Sequence, residues 1–321
     1  MTEMSAPKGQ HFLARQAYLR DFCVPGTQQV WLYRRGASPV LTNIVNVAKR
    51  NRLYSFELAG EQNHDLETRF FAKIDGAAVY IFQKLREASG SAVMMTENEL
   101  AELVQYVAVQ FVRTPAFRSM RAKNGTYAAG TARNLSDAEI RRLRQIVPPG
   151  LIPQGVVNND EEFRELFVEA LYDVEATFAD KRSWLAVMHQ FAEVIAKALW
   201  TKRIELVRVA EEHFITCDQP VVLDYSLNFA TSDVYFPIGS NNALYFDRAQ
   251  ALGGLNRLAL PIRQISSWDA RAFNRRIILA AEDELYGAVN REGIQQAFKG
   301  APPPNRFTPL TAVEILGLSG G

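Results

Sequence analysis

The chain has 321 residues, 48% of them apolar and 22% charged, which is typical of a folded globular protein and excludes wholesale disorder. Its two cysteines, Cys23 and Cys217, are too few for the disulfide framework of a small secreted protein. A net charge of +1 argues against a dedicated DNA-binding protein. No stretch of about 18 apolar residues predicts a spanning helix, and no signal peptide is recognisable. We therefore expect a cytoplasmic protein without a membrane partner.

The small net charge hides an uneven distribution. Residues 1–150 hold 20 basic and 13 acidic side chains, and residues 151–321 hold 16 and 22, so the two parts carry +7 and −6. Residues 113–144 hold eight basic and two acidic residues, whereas residues 160–180 hold eight acidic residues. We expect these two segments to pair helix against helix. A basic segment that faced solvent would instead favour a nucleic-acid backbone as partner.

The first third of the chain predicts strands followed by helices. A short helical or turn-like segment over 9–22 stops before Pro25, residues 28–35 alternate as a strand does, and 40–56 predicts one or two more strands. Apolar residues spaced by three and four, from Leu66 to Leu85, predict an amphipathic helix of about 25 residues. Thr96 and Glu99 have the spacing of a capping box, which predicts the start of the next helix.

The remaining chain predicts more helices and then a series of short strands. A Gly- and Arg-rich loop over 118–135 precedes a second capping box at Ser136 and Glu139. An acidic helix follows Asn159, and Ser183 begins another helix. From 203 to 265 short β-type segments alternate with turn residues, and a last helix is predicted over 267–287.

This order of elements favours an α+β fold over alternating βαβ units. We expect a central helical cluster packed against a strand-rich, mainly antiparallel C-terminal part. The predicted organisation is a single domain over 1–300, with a helical subregion over 62–200. A Pro-rich linker and tail follow over 301–321.

Motifs of the common enzyme classes are absent from the sequence. It has no glycine-rich dinucleotide or phosphate-binding loop, no His-Glu-x-x-His and no Gly-x-Ser-x-Gly. Neither cysteine has a partner at Cys-x-x-Cys spacing, which argues against a structural zinc site. The usual nucleotide-binding, flavin, metalloprotease and esterase functions therefore lack support.

Several short segments follow one another in an order that is similar to a known family. They are His11 followed by Tyr18-Leu19-Arg20-x-Phe22, Asp75 in the Ala-rich helix, Gln110-x-x-Arg113-Thr114-Pro115, Asp218-Gln219-Pro220 after a predicted strand, and Asn274 with Tyr286 near the last helix. Over about residues 9–290 the chain resembles a bacterial family catalogued as domain of unknown function forty-two thirty-eight. That family has proline where this chain has Ala14, and Asn where it has Gln219. The resemblance implies a set of candidate residues and no settled activity.

The candidate residues suit chemistry on a phosphate-containing substrate. An imidazole titrates near neutral pH, so His11 is the predicted general acid or base. Asp75 and Asp218 are predicted to orient it or to hold Mg²⁺, and Arg113 to stabilise developing negative charge. The candidate substrate-binding residues are Arg15, Arg20, Gln110, Gln219 and Asn274.

Each of these assignments has a structural alternative. An Asp two residues before a proline is typical of an Asx turn, which would give Asp218 a role in a loop. Arg113 at a helix end suits capping of carbonyl groups and an ion pair with Asp75 or Asp218. His11 would then anchor the N-terminal segment, and Asn274 would have a hydrogen-bonding role inside its helix.

Two functions follow from these alternatives. The first is a hydrolase or transferase, of the phosphodiesterase or nuclease type, acting on a nucleic acid or a nucleotide. Candidate biological roles for such an enzyme are phage defence and toxin systems. The second is a non-catalytic binding or immunity-type protein in which the same polar residues are structural. The partner is accordingly a small molecule or a nucleic acid.

Overall fold

The chain folds into two compact units. The computed structural model describes residues 10–14, 18–51, 53–54, 56–58, 61–63, 70–119, 129–130, 132–146, 157–224, 232–250 and 258–302. Unit 1 consists of Met1–Thr114 and Met188–Pro304, and unit 2 of Pro115–Val187 and Asn305–Gly321. A compact unit is not by itself an independently folding domain, so the single domain expected over 1–300 stays a prediction.

The longer helices of the described residues lie mainly in the middle of the chain. They are α1 (Ala72–Glu87), α2 (Glu97–Val112), α3 (Asp137–Ile146), α4 (Asp160–Ala179), α5 (Lys181–Trp200), α6 (Ser267–Ala280) and α7 (Glu292–Gly300). Both predicted capping boxes are present. Thr96 N donates to Glu99 Oε2 at 2.7 Å, and Ser136 N donates to Glu139 Oε2 at 2.8 Å. Among the described residues, no helix combines the length and the apolar content that crossing a membrane requires.

The strands are short and lie toward both ends of the chain. They are β1 (Gln10–His11), β2 (Gln29–Arg34), β3 (Val40–Asn43), β4 (Lys49–Arg50), β5 (Phe56–Leu58), β6 (Glu61–Asn63), β7 (Ala92–Met94), β8 (Lys202–Arg208), β9 (Thr216–Cys217), β10 (Val222–Leu223), β11 (Val234–Pro237), β12 (Asn242–Gln250), β13 (Ala259–Gln264) and β14 (Glu284–Gly287).

Two larger sheets organise unit 1. The six-stranded sheet has the order β10-β11-β12-β8-β13-β7 and is antiparallel except where β13 runs parallel to β8. The four-stranded sheet has the order β3-β2-β14-β9 and is antiparallel throughout. β1 pairs with β4, and β5 pairs with β6. Helices segregated from mainly antiparallel sheets make this an α+β protein, as the sequence predicts.

Each unit has its own apolar core. In unit 1, α6 contributes Phe273 and Ile277 to a cluster with Val207 and Ala243 of the six-stranded sheet. In unit 2, the cores of α3 and α4 meet in a cluster whose members include Ile140, Leu143, Phe163, Phe167 and Leu171. Ala129 and Ala132 belong to the same cluster, and the described residues 129, 130, 132 and 133 are helical. The loop predicted over 118–135 is therefore helical in this part.

The last predicted helix is wrong in its final third. α6 ends at Ala280, and Glu284–Gly287 forms β14 between β2 and β9. The reason is tertiary, because Leu285 and Tyr286 pair with both neighbouring strands. α5 also begins earlier than predicted, at Lys181, since Asp180 Oδ2 accepts a hydrogen bond from Ser183 N at 2.7 Å.

The predicted pairing of basic and acidic segments is present at the junction of α3 and α4. Asp160 lies 3.2 Å from Arg144 Nη1 and 3.7 Å from Arg141 Nε. Arg164 of α4 returns the contact, with its Nη2 2.9 Å from Asp137 Oδ1. These contacts join α3 to the first turns of α4, so part of the opposite charge is neutralised inside unit 2.

An ion pair between α1 and α2 generates a pH-dependent prediction. Lys84 Nζ lies 2.7 Å from both carboxylate oxygens of Glu99. Burial raises the pKa of Glu99, but the bonds from Lys84 and Thr96 outweigh it and hold the pKa below the ordinary value of 4.5. A lowered folded-state pKa stabilises the protein above pH 4.5, and this contribution is lost as the pH falls through the folded value.

We expect Glu99→Gln to lower the free energy of unfolding at pH 7 by about 0.5 kcal/mol, after allowing for solvent screening. Gln still accepts from the Thr96 amide, so the variant tests the charge and not the cap. The difference from wild type should shrink toward zero as the pH falls below the lowered folded-state pKa of Glu99. Urea unfolding at pH 7 and in acid measures it, and a difference that grows in acid would contradict the ion pair.

Candidate functional site

Arg113 is the most buried charged residue among the sequence candidates. It follows directly after α2, whose last turns are apolar and buried, and its side chain is only 2% exposed. Removing a guanidinium from water costs several kcal/mol unless protein acceptors replace the lost hydration. The surroundings of Arg113 must therefore supply both hydrogen-bond acceptors and an opposite charge.

Three different partners meet the guanidinium. Nε donates to the Phe12 carbonyl oxygen at 2.9 Å, and Nη2 donates to Gln110 Oε1 at 2.6 Å. Nη1 lies 2.9 Å and 3.2 Å from the two oxygens of Asp75, in the first turn of α1. Every nitrogen of the guanidinium thus donates to the protein, and α1 and α2 are joined to the N-terminal segment.

Further contacts strengthen this arrangement, which we call the Arg113 centre: Asp75, Gln110, Arg113 and the Phe12 carbonyl. Gln110 Nε2 also donates to the Phe12 carbonyl, at 2.9 Å. The Tyr54 hydroxyl donates to the Arg113 carbonyl at 2.7 Å. Burial lowers the pKa of Arg113, but the Asp75 carboxylate together with Tyr106 and Tyr54 outweighs it, and the net shift is upward. The charged form of Arg113 is therefore retained in the interior.

Asp218 has a different set of partners. Its Oδ1 accepts from Glu282 N at 2.9 Å, and its Oδ2 accepts from Asp283 N at 2.7 Å and from Glu284 N at 3.1 Å. Asp218 N donates in return to the Glu284 carbonyl at 3.1 Å. The carboxylate thus closes the turn that leads from α6 into β14. The role of Asp218 is structural, but the amides it binds lie 64 to 66 residues away, so the contact is not the local Asx turn of the structural alternative.

The other candidates lie in several places within unit 1. His11 is half-buried in β1, next to the Phe12 carbonyl, and Arg20 is exposed in a short 3₁₀ segment. Asn274 bridges α6 to the segment before β9, donating to the His213 carbonyl at 2.8 Å and accepting from Ile215 N at 3.0 Å. Gln219 Oε1 is hydrogen-bonded to Thr114 Oγ1, so it reaches the residue after Arg113. Arg15 lies outside the described residues.

The structure therefore brings together Asp75, Gln110 and Arg113, with His11 adjacent in the chain and Gln219 linked through Thr114. The contacts of Asp218 and Asn274 described above serve other segments. The carboxylates do not fit the expected Mg²⁺ site, because Asp75 is bound to Arg113 and Asp218 to three amides. Within the described ranges no group of three or more His, Cys, Asp or Glu residues could hold a metal ion.

Sequence reasoning missed Tyr106. It lies on α2 four residues before Gln110 and seven before Arg113, a spacing that places the three polar side chains on one helix face. Its ring is 1% exposed, and within the described residues its hydroxyl has no hydrogen-bond partner. Burial raises its pKa, and the Asp75 charge adds to that shift while Arg113 opposes it. A polar stripe at spacings of four and three on an apolar helix was the available signal.

A second buried donor belongs to Gln219, which follows β9 and contacts Thr114 just after α2. Gln219 is 3% exposed, and its Nε2 has no acceptor among the described residues, although its Oε1 is bonded to Thr114. Buried polar groups are nearly always hydrogen-bonded, so each exception requires an explanation such as a bound water or ligand. Tyr18 is also fully buried, but its hydroxyl is satisfied by a 2.6 Å hydrogen bond with Thr216 Oγ1.

Comparison with known proteins assigns the chain to a family. A family model described as "Protein of unknown function (DUF4238)" matches residues 9–290. The chain belongs to this family. No curated protein and no solved structure matches it. All residues of the Arg113 centre, and Asp218 and Asn274, lie within the DUF4238 match, but membership carries no activity. The function must therefore be argued from geometry.

We expect Arg113→Lys to lower the free energy of unfolding by about 3–5 kcal/mol, because a lysine ammonium cannot reach all three partners and leaves buried acceptors unsatisfied. The matched control is Arg20→Lys, on an exposed side chain, which should change it by less than about 0.5 kcal/mol. Denaturant unfolding followed by circular dichroism measures both. A change at Arg113 as small as that at Arg20 would contradict the role given to the guanidinium.

Proposed function

We propose that this DUF4238 protein is a non-catalytic binding or immunity-type protein, in which the polar candidates hold the fold together. One observation carries the proposal: the donors and acceptors of these side chains are hydrogen-bonded to other groups of the protein. Arg113 donates from all three nitrogens, and both oxygens of Asp218 accept amide N–H groups. Groups that act on a substrate need an edge that the substrate can reach.

We also propose a cytoplasmic location. The support is the low cysteine content of the chain and the state of the two thiols. Cys23 and Cys217 are both described, both buried and not joined by a disulfide. Burial raises the pKa of the Cys23 thiol to about 11, so it stays protonated and unreactive at neutral pH.

A second candidate function is a hydrolase or transferase acting on a phosphate-containing substrate such as a nucleic acid or a nucleotide. The observation that favours it is the Tyr106 hydroxyl, a buried donor in the electrostatic field of Arg113 with no partner within the described residues. Bound phosphate oxygens would accept from such a donor. His11 would act as acid or base. Roles in phage defence or toxin systems belong to this candidate.

Tyr106→Phe separates the two candidates. Removing an unsatisfied buried hydroxyl should leave the free energy of unfolding unchanged or raise it by up to about 1 kcal/mol. For a non-catalytic protein, millimolar inorganic phosphate or ATP should shift the Tm of neither wild type nor variant. If a phosphate site exists beside Tyr106, the ligand should raise the Tm of wild type and not that of the variant. Thermal unfolding with and without ligand measures this.

Tyr18→Phe is the matched control. It also removes a buried tyrosine hydroxyl, but one that is bonded to Thr216 Oγ1 at 2.6 Å, so it should lose about 1 kcal/mol of stability. A direct assay completes the test: wild type and His11→Ala are incubated with single-stranded DNA and with ATP, with and without Mg²⁺. Turnover by wild type that is abolished in a His11→Ala variant of unchanged Tm would make the non-catalytic proposal wrong.

A further inference from the structure

An open groove lies on one face of the six-stranded sheet, where α6 begins. Its volume is about 580 Å³, within the range of sites that hold small molecules or peptide side chains. Strands β8, β11, β12 and β13 form its floor, and α6 forms one wall from Trp268 to Arg276. We call it the Trp268 groove. It lies within unit 1, and none of the residues of the Arg113 centre lines it.

The apolar part of the groove is aromatic. Tyr235 and Tyr245 lie side by side on β11 and β12 with ring centroids 5.3 Å apart, and Phe273 of α6 meets Tyr235 edge-on at 5.1 Å. Trp268 stands in the first turn of α6 and is 71% exposed, whereas Trp184 is fully buried. A large exposed indole beside a groove is the kind of residue that anchors protein interfaces.

The charged part of the groove is layered. Glu205 lies between two guanidiniums, 2.9 Å from Arg203 Nη2 and 2.7 Å from Arg263 Nε, and Asp247 is 3.1 Å from Arg203. The side chains of Glu205 and Asp247 are only 10% and 20% exposed, but those of Arg203 and Arg263 are 57% and 49% exposed. The carboxylates thus lie deeper in the groove and hold the guanidiniums in place above them. The groups that face solvent are the guanidinium N–H groups.

Arg263 presents the clearest unused donors. Only its Nε is bonded, to Glu205, and within the described residues its two terminal nitrogens have no acceptor. A guanidinium edge of two parallel N–H groups matches a carboxylate bidentately. The partner that fits this edge is therefore an Asp or Glu side chain, or another carboxylate.

The aromatic faces argue against nucleic acid as the occupant. The guanidinium of Arg276 lies 4.7 Å from the Tyr235 centroid, and that of Arg263 lies 5.6 Å from the Tyr245 centroid. Both tyrosine faces are thus covered, so successive bases would find only Trp268 for stacking. The lining also has no excess positive charge, since three arginines face three acidic residues, Glu205, Asp247 and Asp269.

We propose that the Trp268 groove binds a peptide segment of a partner protein that carries a carboxylate beside an apolar or aromatic side chain. An apolar or aromatic side chain of the segment would pack on Trp268, and a neighbouring carboxylate would bind the terminal nitrogens of Arg263. Trp, Tyr and Arg dominate the residues that anchor protein interfaces, and no lysine lines this groove. This inference rests on the proposed binding function and names the class of partner.

The test is selection of random peptides of about twelve residues, displayed on phage, against the full chain. Selection on wild type should enrich sequences that place Asp or Glu beside an aromatic or large aliphatic residue. Binding of the synthetic peptides, measured by fluorescence polarisation, should weaken by roughly tenfold or more in Trp268→Ala and in Arg263→Gln. Exchanging the peptide carboxylate for its amide should weaken binding to wild type and not to Arg263→Gln.

Tyr80→Ala is the matched control. Tyr80 is also an exposed aromatic, 62% exposed on α1, but it does not line the groove. It should leave the affinity unchanged, and all three variants should keep the wild-type Tm within a few degrees. Enriched peptides that bind Trp268→Ala as well as wild type would overturn the proposal, and so would a failure to enrich any sequence.

A single-stranded oligothymidylate provides the competing outcome. If it binds wild type and loses affinity in Trp268→Ala, the groove is a nucleic-acid site and the peptide proposal is wrong. The proposed function fails by a different result, namely turnover that depends on His11. If the protein shows turnover that depends on His11 and also binds the peptides through Trp268 and Arg263, the groove proposal is supported and the non-catalytic function is wrong.

Discussion

The burial of the Arg113 charge is the constraint on which the polar interior of unit 1 depends. A guanidinium with a side chain 2% exposed needs acceptors in three directions, and it finds them on three separate segments of chain. The bond to the Phe12 carbonyl holds the N-terminal segment against Arg113, and the bond to Asp75 holds α1. The third bond, to Gln110, comes from α2, the helix that Arg113 follows. An isolated buried charge costs several kcal/mol, so moving any one of these segments away would leave the Arg113 guanidinium partly unpaired and destabilise unit 1.

A second polar contact has the same effect elsewhere in unit 1. The Asp218 carboxylate collects three amide N–H groups of the turn at 282–284, and this turn delivers β14 between β2 and β9. β2 comes from the N-terminal part of the chain, so this sheet joins distant parts of the sequence. Asn274 completes the arrangement by holding α6 to the segment before β9. Conspicuous polar residues in this protein thus mark places where separate segments are joined.

The contrast between interior and surface polar groups explains why we assign the proposed binding function to the surface. The interior polar groups are largely satisfied by the protein, and the Tyr106 hydroxyl and the Gln219 amide nitrogen are among the exceptions within the described residues. The Trp268 groove shows the opposite property, since its guanidiniums are half-exposed and its indole is mostly exposed. Satisfied polar groups stabilise a fold, whereas exposed and oriented ones are available to a partner.

The sequence by itself determined what depends on neighbouring residues: the α+β class, the capping boxes at Thr96 and Ser136, and the ion pairing between α3 and α4. It also identified Arg113, Asp75 and Gln110 as special, with the Arg113–Asp75 pair among the alternatives. Only the tertiary structure decided that Glu284–Gly287 is a strand, that Asp218 binds a turn 64 to 66 residues away, and that Tyr106 faces the Arg113 centre. Hydrogen bonds between distant segments leave no periodicity in the sequence, because their partners are set by how the segments pack and not by spacing along the chain.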